Sequence, residues 1–90
     1  MNQIFSDIQQ ARNNIDSLVQ NTQYAESITL SKLLSCRVYL KFENHQFTGS
    51  FKERGALNCI LSMSEKERSK GVIAASAGNH AQGLAYHANT

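Results

Sequence analysis

Apolar residues recur at helical spacing along the first part of the chain. Ile4, Ile8, Ala11, Ile15 and Leu18 form one stripe of an amphipathic helix. Ser6 and Gln9 have the form of a capping box at its start. This helix presents no chemistry and reads as scaffold. A polar loop follows over residues 20–27, then a short helical stretch around Leu30 to Leu34. Val38 to Glu43 is rich in β-branched and aromatic residues with rough alternation, which predicts a strand. A polar turn over residues 44–50 leads into a helix from Phe51 to Met63, with Ala56, Leu57, Ile60 and Leu61 on one side. Ser64 and Glu67 look like a second capping box, opening a helix of about one turn. Gly71 breaks the chain, and Val72 to Ala75 reads as a wholly apolar strand of the kind found inside parallel sheets. The turn Ser76-Ala77-Gly78-Asn79 leads into a last helix from His80.

The predicted class is therefore α/β: an N-terminal helix followed by two β-loop-α units of a parallel sheet. A right-handed crossover would join the two strands. Two strands alone leave long unpaired edges and bury little. The last helix also reaches Thr90 without a glycine or other stop. The expectation is that residues 1–90 are an incomplete N-terminal part of a larger catalytic domain.

Composition narrows the function classes. Apolar residues make up 41% and charged residues 18%, with a net charge of +2. That is ordinary globular composition and argues against disorder. The basic residues form no stripe, so nucleic acid is not an expected partner. No apolar run is long enough to span a bilayer, and no basic region precedes an apolar stretch at the N-terminus. A cytoplasmic location is expected. Cys36 and Cys59 lack metal-like spacing and read as buried free thiols.

Candidate chemistry lies in the two strand-to-helix loops. Ligands of open α/β sheets bind outside the carboxyl ends of the strands, and helix N-termini favour anions. In the first loop, residues 48–56, Gly49 allows a tight turn, and Thr48 and Ser50 offer hydroxyls. Lys52 sits at the first turn of its helix, where its charge meets the positive end of the dipole. That setting suits a lysine whose amine must be neutral to act as a nucleophile. From position alone, a solvated lysine reaching past the helix end is the favoured reading. The glycine spacing before Lys52 excludes a Walker A loop. In the second loop, residues 75–83, Ser76, Gly78 and Asn79 follow an apolar strand, and backbone N–H groups there could cradle a carboxylate or phosphate. A plain turn with Ser and Asn as caps is the alternative. His80 is a catalytic candidate or a hydrogen-bonding residue. His45 reads as a surface residue and His87 as peripheral. Glu43 and Glu53 flank the first loop and read as structural.

The two segments KFENHQFTGSFKERGA (residues 41–56) and GVIAASAGNHAQG (residues 71–83) together closely resemble the threonine dehydratases. These are pyridoxal-phosphate ammonia-lyases of fold type II, shared with serine racemase and tryptophan synthase β. The resemblance covers about Val38 to Ala88. It implies pyridoxal 5'-phosphate as cofactor and L-threonine as substrate, with L-serine as a second candidate because one methyl group discriminates weakly. It implies that Lys52 forms the internal Schiff base and later serves as base at the α-carbon, and that Phe51 packs beside the pyridine ring. It implies that Asn79 bonds the ring hydroxyl oxygen, and that Ser76 with backbone groups from Ala77, Gly78, Asn79 and His80 holds the substrate carboxylate. The family reaction is a dehydration that releases 2-oxobutanoate and ammonia. Racemases of this fold carry a serine where this chain has Ala77, and alanine cannot move a proton. The resemblance further implies a homo-oligomeric parent enzyme. An inactive remnant or interaction fragment of the same ancestry is the competing expectation.

This chain departs from the family in three places, one of them after Ala88, where Asn89-Thr90 stands in place of more helix and an expected glycine. It has Thr22-Gln23-Tyr24 where the family has Thr-Pro-Leu, and it contains no run of consecutive glycines. The family's glycine-rich phosphate loop lies further downstream.

Overall fold

The computed structural model describes residues 2–89. Helix α1 spans Asn2–Ile15. It does not start at Ser6, as its sequence suggests, because the helical turn is already formed at Asn2. Gln3 Nε2 donates to Asp7 Oδ1 at 2.8 Å, an i,i+4 contact that supports the first turns. Ile15 and Val19 are buried, whereas Ile4, Phe5 and Ile8 are exposed.

Strand β1, Tyr24–Glu26, pairs antiparallel with β2, Tyr39–Lys41, with Ala25 opposite Leu40. Between them lies helix α2, Ile28–Leu34, whose N-cap Ser27 Oγ accepts from Leu30 N at 3.2 Å. The loop over residues 20–27 thus contributes a strand that its polar sequence conceals. The expected strand over 38–43 contracts to three residues, and Glu43–His45 forms a 3-10 turn. The Tyr24 and Tyr39 rings stack with centroids 5.4 Å apart, a cross-strand contact that helps hold so short a ribbon.

The expected parallel pairing is not formed. Residues 71–76 have no ladder partner among the described residues, and the only described sheet is the β1–β2 ribbon. A strand exists only when its N–H and C=O groups find a neighbour. Here residues 71–74 share a groove with Ala56, Cys59 and Ile60 of helix α3, Lys52–Ser62, and Ile73 is left 96% exposed.

Helix α3 buries Ala56, Leu57 and Ile60, as its apolar spacing requires. Leu57 joins Ile15 and Val19 in the core, with Leu61 packed alongside. Helix α4, Glu65–Ser69, carries the capping box read from sequence: Ser64 Oγ accepts from Glu67 N at 3.1 Å, and Glu67 Oε1 accepts from Ser64 N at 3.0 Å. Helix α5 spans Asn79–Ala88. Cys36 and Cys59 are free thiols but exposed rather than buried. Cys36 follows the end of α2, and Cys59 faces the open groove beside residues 71–74.

The radius of gyration is 15.8 Å, against about 12 Å for a fully compact chain of this length. With so small a core, polar ties carry much of the arrangement. Glu43 accepts from Arg54 and from Thr22 Oγ1, the latter at 2.5 Å. Gln46 exchanges two hydrogen bonds with the Gln20 backbone, at 2.9 and 2.8 Å. These contacts fasten the segment after α1 to the loop that precedes α3. None of the described helices is long and apolar enough to cross a membrane.

Candidate functional site

The first loop is shaped by Gly49, whose φ of +80° lies in the left-handed region that favours glycine. Its N–H donates to Gln46 O at 3.0 Å, closing the turn. Ser50 Oγ accepts from Lys52 N at 3.2 Å, and α3 begins at Lys52, one residue after the start expected at Phe51, which is the N-cap. The Lys52 side chain is exposed, with Nζ 5.1 Å from the centroid of the exposed Phe51 ring. Lys52 makes no ion pair among the described residues. Its amine is therefore open to a carbonyl compound arriving from solvent. A purely solvated lysine would occupy the same place.

The second loop is built around Ser76. Its Oγ accepts from Gly78 N at 3.3 Å and from Ala81 N at 3.1 Å, which caps α5 from three residues before its first turn. The N–H groups of Asn79 and His80 lie in the first helical turn, where no intrahelical acceptor exists. Ala77 and the Asn79 side chain are exposed, and Gly78 is half-buried. His80 is half-buried and lines a groove of about 270 Å³ with Ile60, Met63, Val72 and Leu84. Lys52 does not line that groove.

No hydrogen bond among the described residues joins Lys52 or Phe51 to Ser76, Asn79 or His80. The connection between the loops runs through helix packing. A Cβ on Gly83 would lie 3.3 Å from Glu53 Cα and N and 3.4 Å from Lys52 C, so α5 rests directly on the backbone that carries the lysine. One turn later His87 Nε2 lies 3.1 Å from Glu53 Oε2. The other carboxylate oxygen of Glu53 accepts from Thr48 N and from Thr48 Oγ1, the latter at 2.7 Å. Glu53 is fully buried and His87 nearly so.

Glu53, Gly83 and His87 are the site residues that motif reading undervalued. His87 is central to the helix contact rather than peripheral. A signal was present for Glu53. It lies three, four and seven positions before Ala56, Leu57 and Ile60, which places an acid in the apolar stripe of its own helix. Glu43 sits in a different network. The hydrogen bond from Arg54, opposed by burial and helped by Thr22 and Gln46, lowers its pKa from 4.5 to about 2. The same contact raises Arg54 further above its ordinary value.

The chain belongs to the pyridoxal-phosphate dependent enzyme family, which it matches over residues 15–90. It is 53% identical over 79 residues to the L-threonine ammonia-lyase of Thermotoga maritima, covering 88% of this chain and 20% of that protein. It is 50% identical over 80 residues to a catabolic L-threonine dehydratase of Staphylococcus aureus, covering 88% of this chain and 23% of that protein. The solved serine racemase of Dictyostelium discoideum superposes with a TM-score of 0.84 at 44% identity, covering 91% of this chain and 27% of that one. The expected fold type is thereby shown. The chain spans about a fifth of the length of the curated relatives it matches.

Proposed function

We propose that residues 1–90 are the lysine-bearing N-terminal part of a catalytic domain that deaminates L-threonine to 2-oxobutanoate and ammonia. The observation that carries this reading is the placement of Lys52: exposed, unpaired by any carboxylate among the described residues, and beside Phe51 at the start of α3. The two L-threonine-degrading relatives, at 53% and 50% identity, support the substrate class.

The residues present fit one side of pyridoxal phosphate. Lys52 would hold its aldehyde carbon, Phe51 would cover a face of the ring, and Asn79 would bond a ring oxygen. When bound, the cofactor supplies an electron sink for the α-carbon. The chain's own part is to orient and to move a proton. With cofactor and substrate bound, Lys52 Nζ would be the group that takes the α-proton. Ser76 and the backbone from Ala77 to His80 hold the substrate carboxylate at the start of α5, where the dipole favours an anion. Ala77 has no ionisable group, so no second base stands at that position. This favours elimination over racemisation, although the fold is shared with a serine racemase.

A second reading rests on Ile73 and the unpaired segment around it: the chain as it stands binds cofactor weakly and turns nothing over. One experiment addresses both. The chain is incubated with pyridoxal phosphate, reduced with borohydride and mapped by peptide mass, with Lys52→Ala as control. Labelling concentrated at Lys52, with no threonine-dependent 2-oxobutanoate release, is the expected result. Equal labelling of Lys32, Lys41, Lys52, Lys66 and Lys70 would refute the assignment of Lys52.

A further inference from the structure

We propose that Glu53, with His87 as its buried partner, is a positioning residue that sets Lys52 and the Ser76–Asn79 loop in register. The inference rests on the reading of Lys52 given above, and it names residues that this reading does not use.

Glu53 follows Lys52 directly and is fully buried, whereas Lys52 is exposed. Consecutive helical residues project about 100° apart, so one points inward while the other faces solvent. The inward carboxylate makes three contacts. Two go to Thr48, on the backbone N–H and the hydroxyl, and lock the turn that delivers Lys52. The third goes to His87 in the last turn of α5. It requires one proton between the two atoms, on the imidazole or on the carboxyl. Glu53 thus touches both the chain leading into Lys52 and the helix whose first turn belongs to the second loop.

The geometry makes this contact a lever. Gly83 lets α5 lie close against the Glu53 backbone, where an added Cβ would stand 3.3 Å from Glu53 Cα and N, and it serves as the fulcrum. His87 is four residues to one side and Asn79 four residues to the other, about 6 Å each along the helix axis at 1.5 Å per residue. A rigid helix that tips at His87 by about 1 Å therefore tips at Asn79 by a similar amount. A shift of that size costs a positioned reaction up to about 100-fold. A buried carboxylate is also costly to leave unpaired, which gives the contact reason to be held tightly. An ordinary core residue at position 53 would fill the space without tying Thr48 to α5.

The test compares Glu53→Ala, His87→Ala and the shape-conserving Glu53→Gln in the 90-residue chain, with two readouts. The first is amide hydrogen exchange in residues 48–52 and 76–80, with the Glu67 amide of the independent α4 cap as reference. The second is the rate of borohydride-trapped pyridoxal phosphate labelling at Lys52 relative to Lys66. In Glu53→Ala and His87→Ala, exchange is expected to rise in residues 76–80, and in Glu53→Ala also in 48–52, while Glu67 stays unchanged. Relative labelling of Lys52 should fall about 10-fold, and Glu53→Gln should restore most of both. Faster exchange confined to residues 48–52, with 76–80 unmoved in both alanine variants, would overturn the proposal. So would unchanged relative labelling in both alanine variants of a chain that labels Lys52 selectively. Coupled exchange in a chain whose wild type does not favour Lys52 would uphold the mechanical tie and overturn its role toward the lysine, and it would locate the failure in the assignment of Lys52. Should Glu53→Ala unfold, seen as loss of Glu67 protection, His87→Ala and Glu53→Gln carry the same comparison.

Discussion

Acidification acts on this chain through Glu43, and the size of its effect follows from the contacts around that carboxylate. Arg54, Thr22 and Gln46 all hydrogen-bond to it and hold its pKa at about 2 rather than 4.5. A carboxyl with a depressed folded-state pKa contributes stability that is fully present above its unfolded value. That stability is lost as the pH falls through the folded value. The window therefore runs from 4.5 down to about 2. At about 1.4 kcal/mol per pKa unit, a fall from 4.5 to about 2 corresponds to about 3.5 kcal/mol before screening. The Arg54 side chain remains 33% exposed against 14% for Glu43, and solvent screening brings the expected contribution to about 1–2 kcal/mol. The perturbation is Glu43→Gln. Urea denaturation is followed by far-ultraviolet circular dichroism from about pH 6 to about pH 2, with wild type and variant side by side. The variant should be less stable at the upper end and should converge on wild type as the pH falls. A wild-type curve parallel to that of the variant through this window would refute the reasoning, because the difference isolates Glu43 from every other carboxyl.

Three further outcomes follow from single contacts. Gly83→Ala gains about 1 kcal/mol of helix propensity but drives a methyl group against backbone atoms that cannot rotate away, at a cost of about 1–3 kcal/mol. A net loss of thermal stability is expected, and a rise in the melting temperature would show that α3 and α5 have room to part. Ser76→Ala removes the acceptor for Gly78 N and Ala81 N and should weaken the start of α5 by about 1 kcal/mol, read as faster amide exchange at those two positions. Lys52→Ala should abolish selective borohydride trapping of pyridoxal phosphate while leaving the circular dichroism spectrum unchanged, since the side chain is exposed.

Local sequence determined the helices, because their signals are local. The spacing of Ala56, Leu57 and Ile60, the Ser64–Glu67 capping box and the position of Lys52 at a helix start are each set by residues within one or two turns. The two motifs also located the family, since each combines a turn, a helix start and specific side chains within a short span. Pairing is different in kind. Whether residues 72–75 form a strand depends on a neighbour, and a wholly apolar run says only that it would be buried if one were present. Tyr24–Glu26 became a strand because Tyr39–Lys41 came alongside, which no reading of a polar loop could decide. The role of Glu53 also belongs to the tertiary structure. Its place in an apolar stripe marked it as unusual, but only the packing of α5 across Gly83 brought His87 to it from 34 residues away. Side-chain spacing along one helix is a property of the chain, and contact between two helices is a property of the fold.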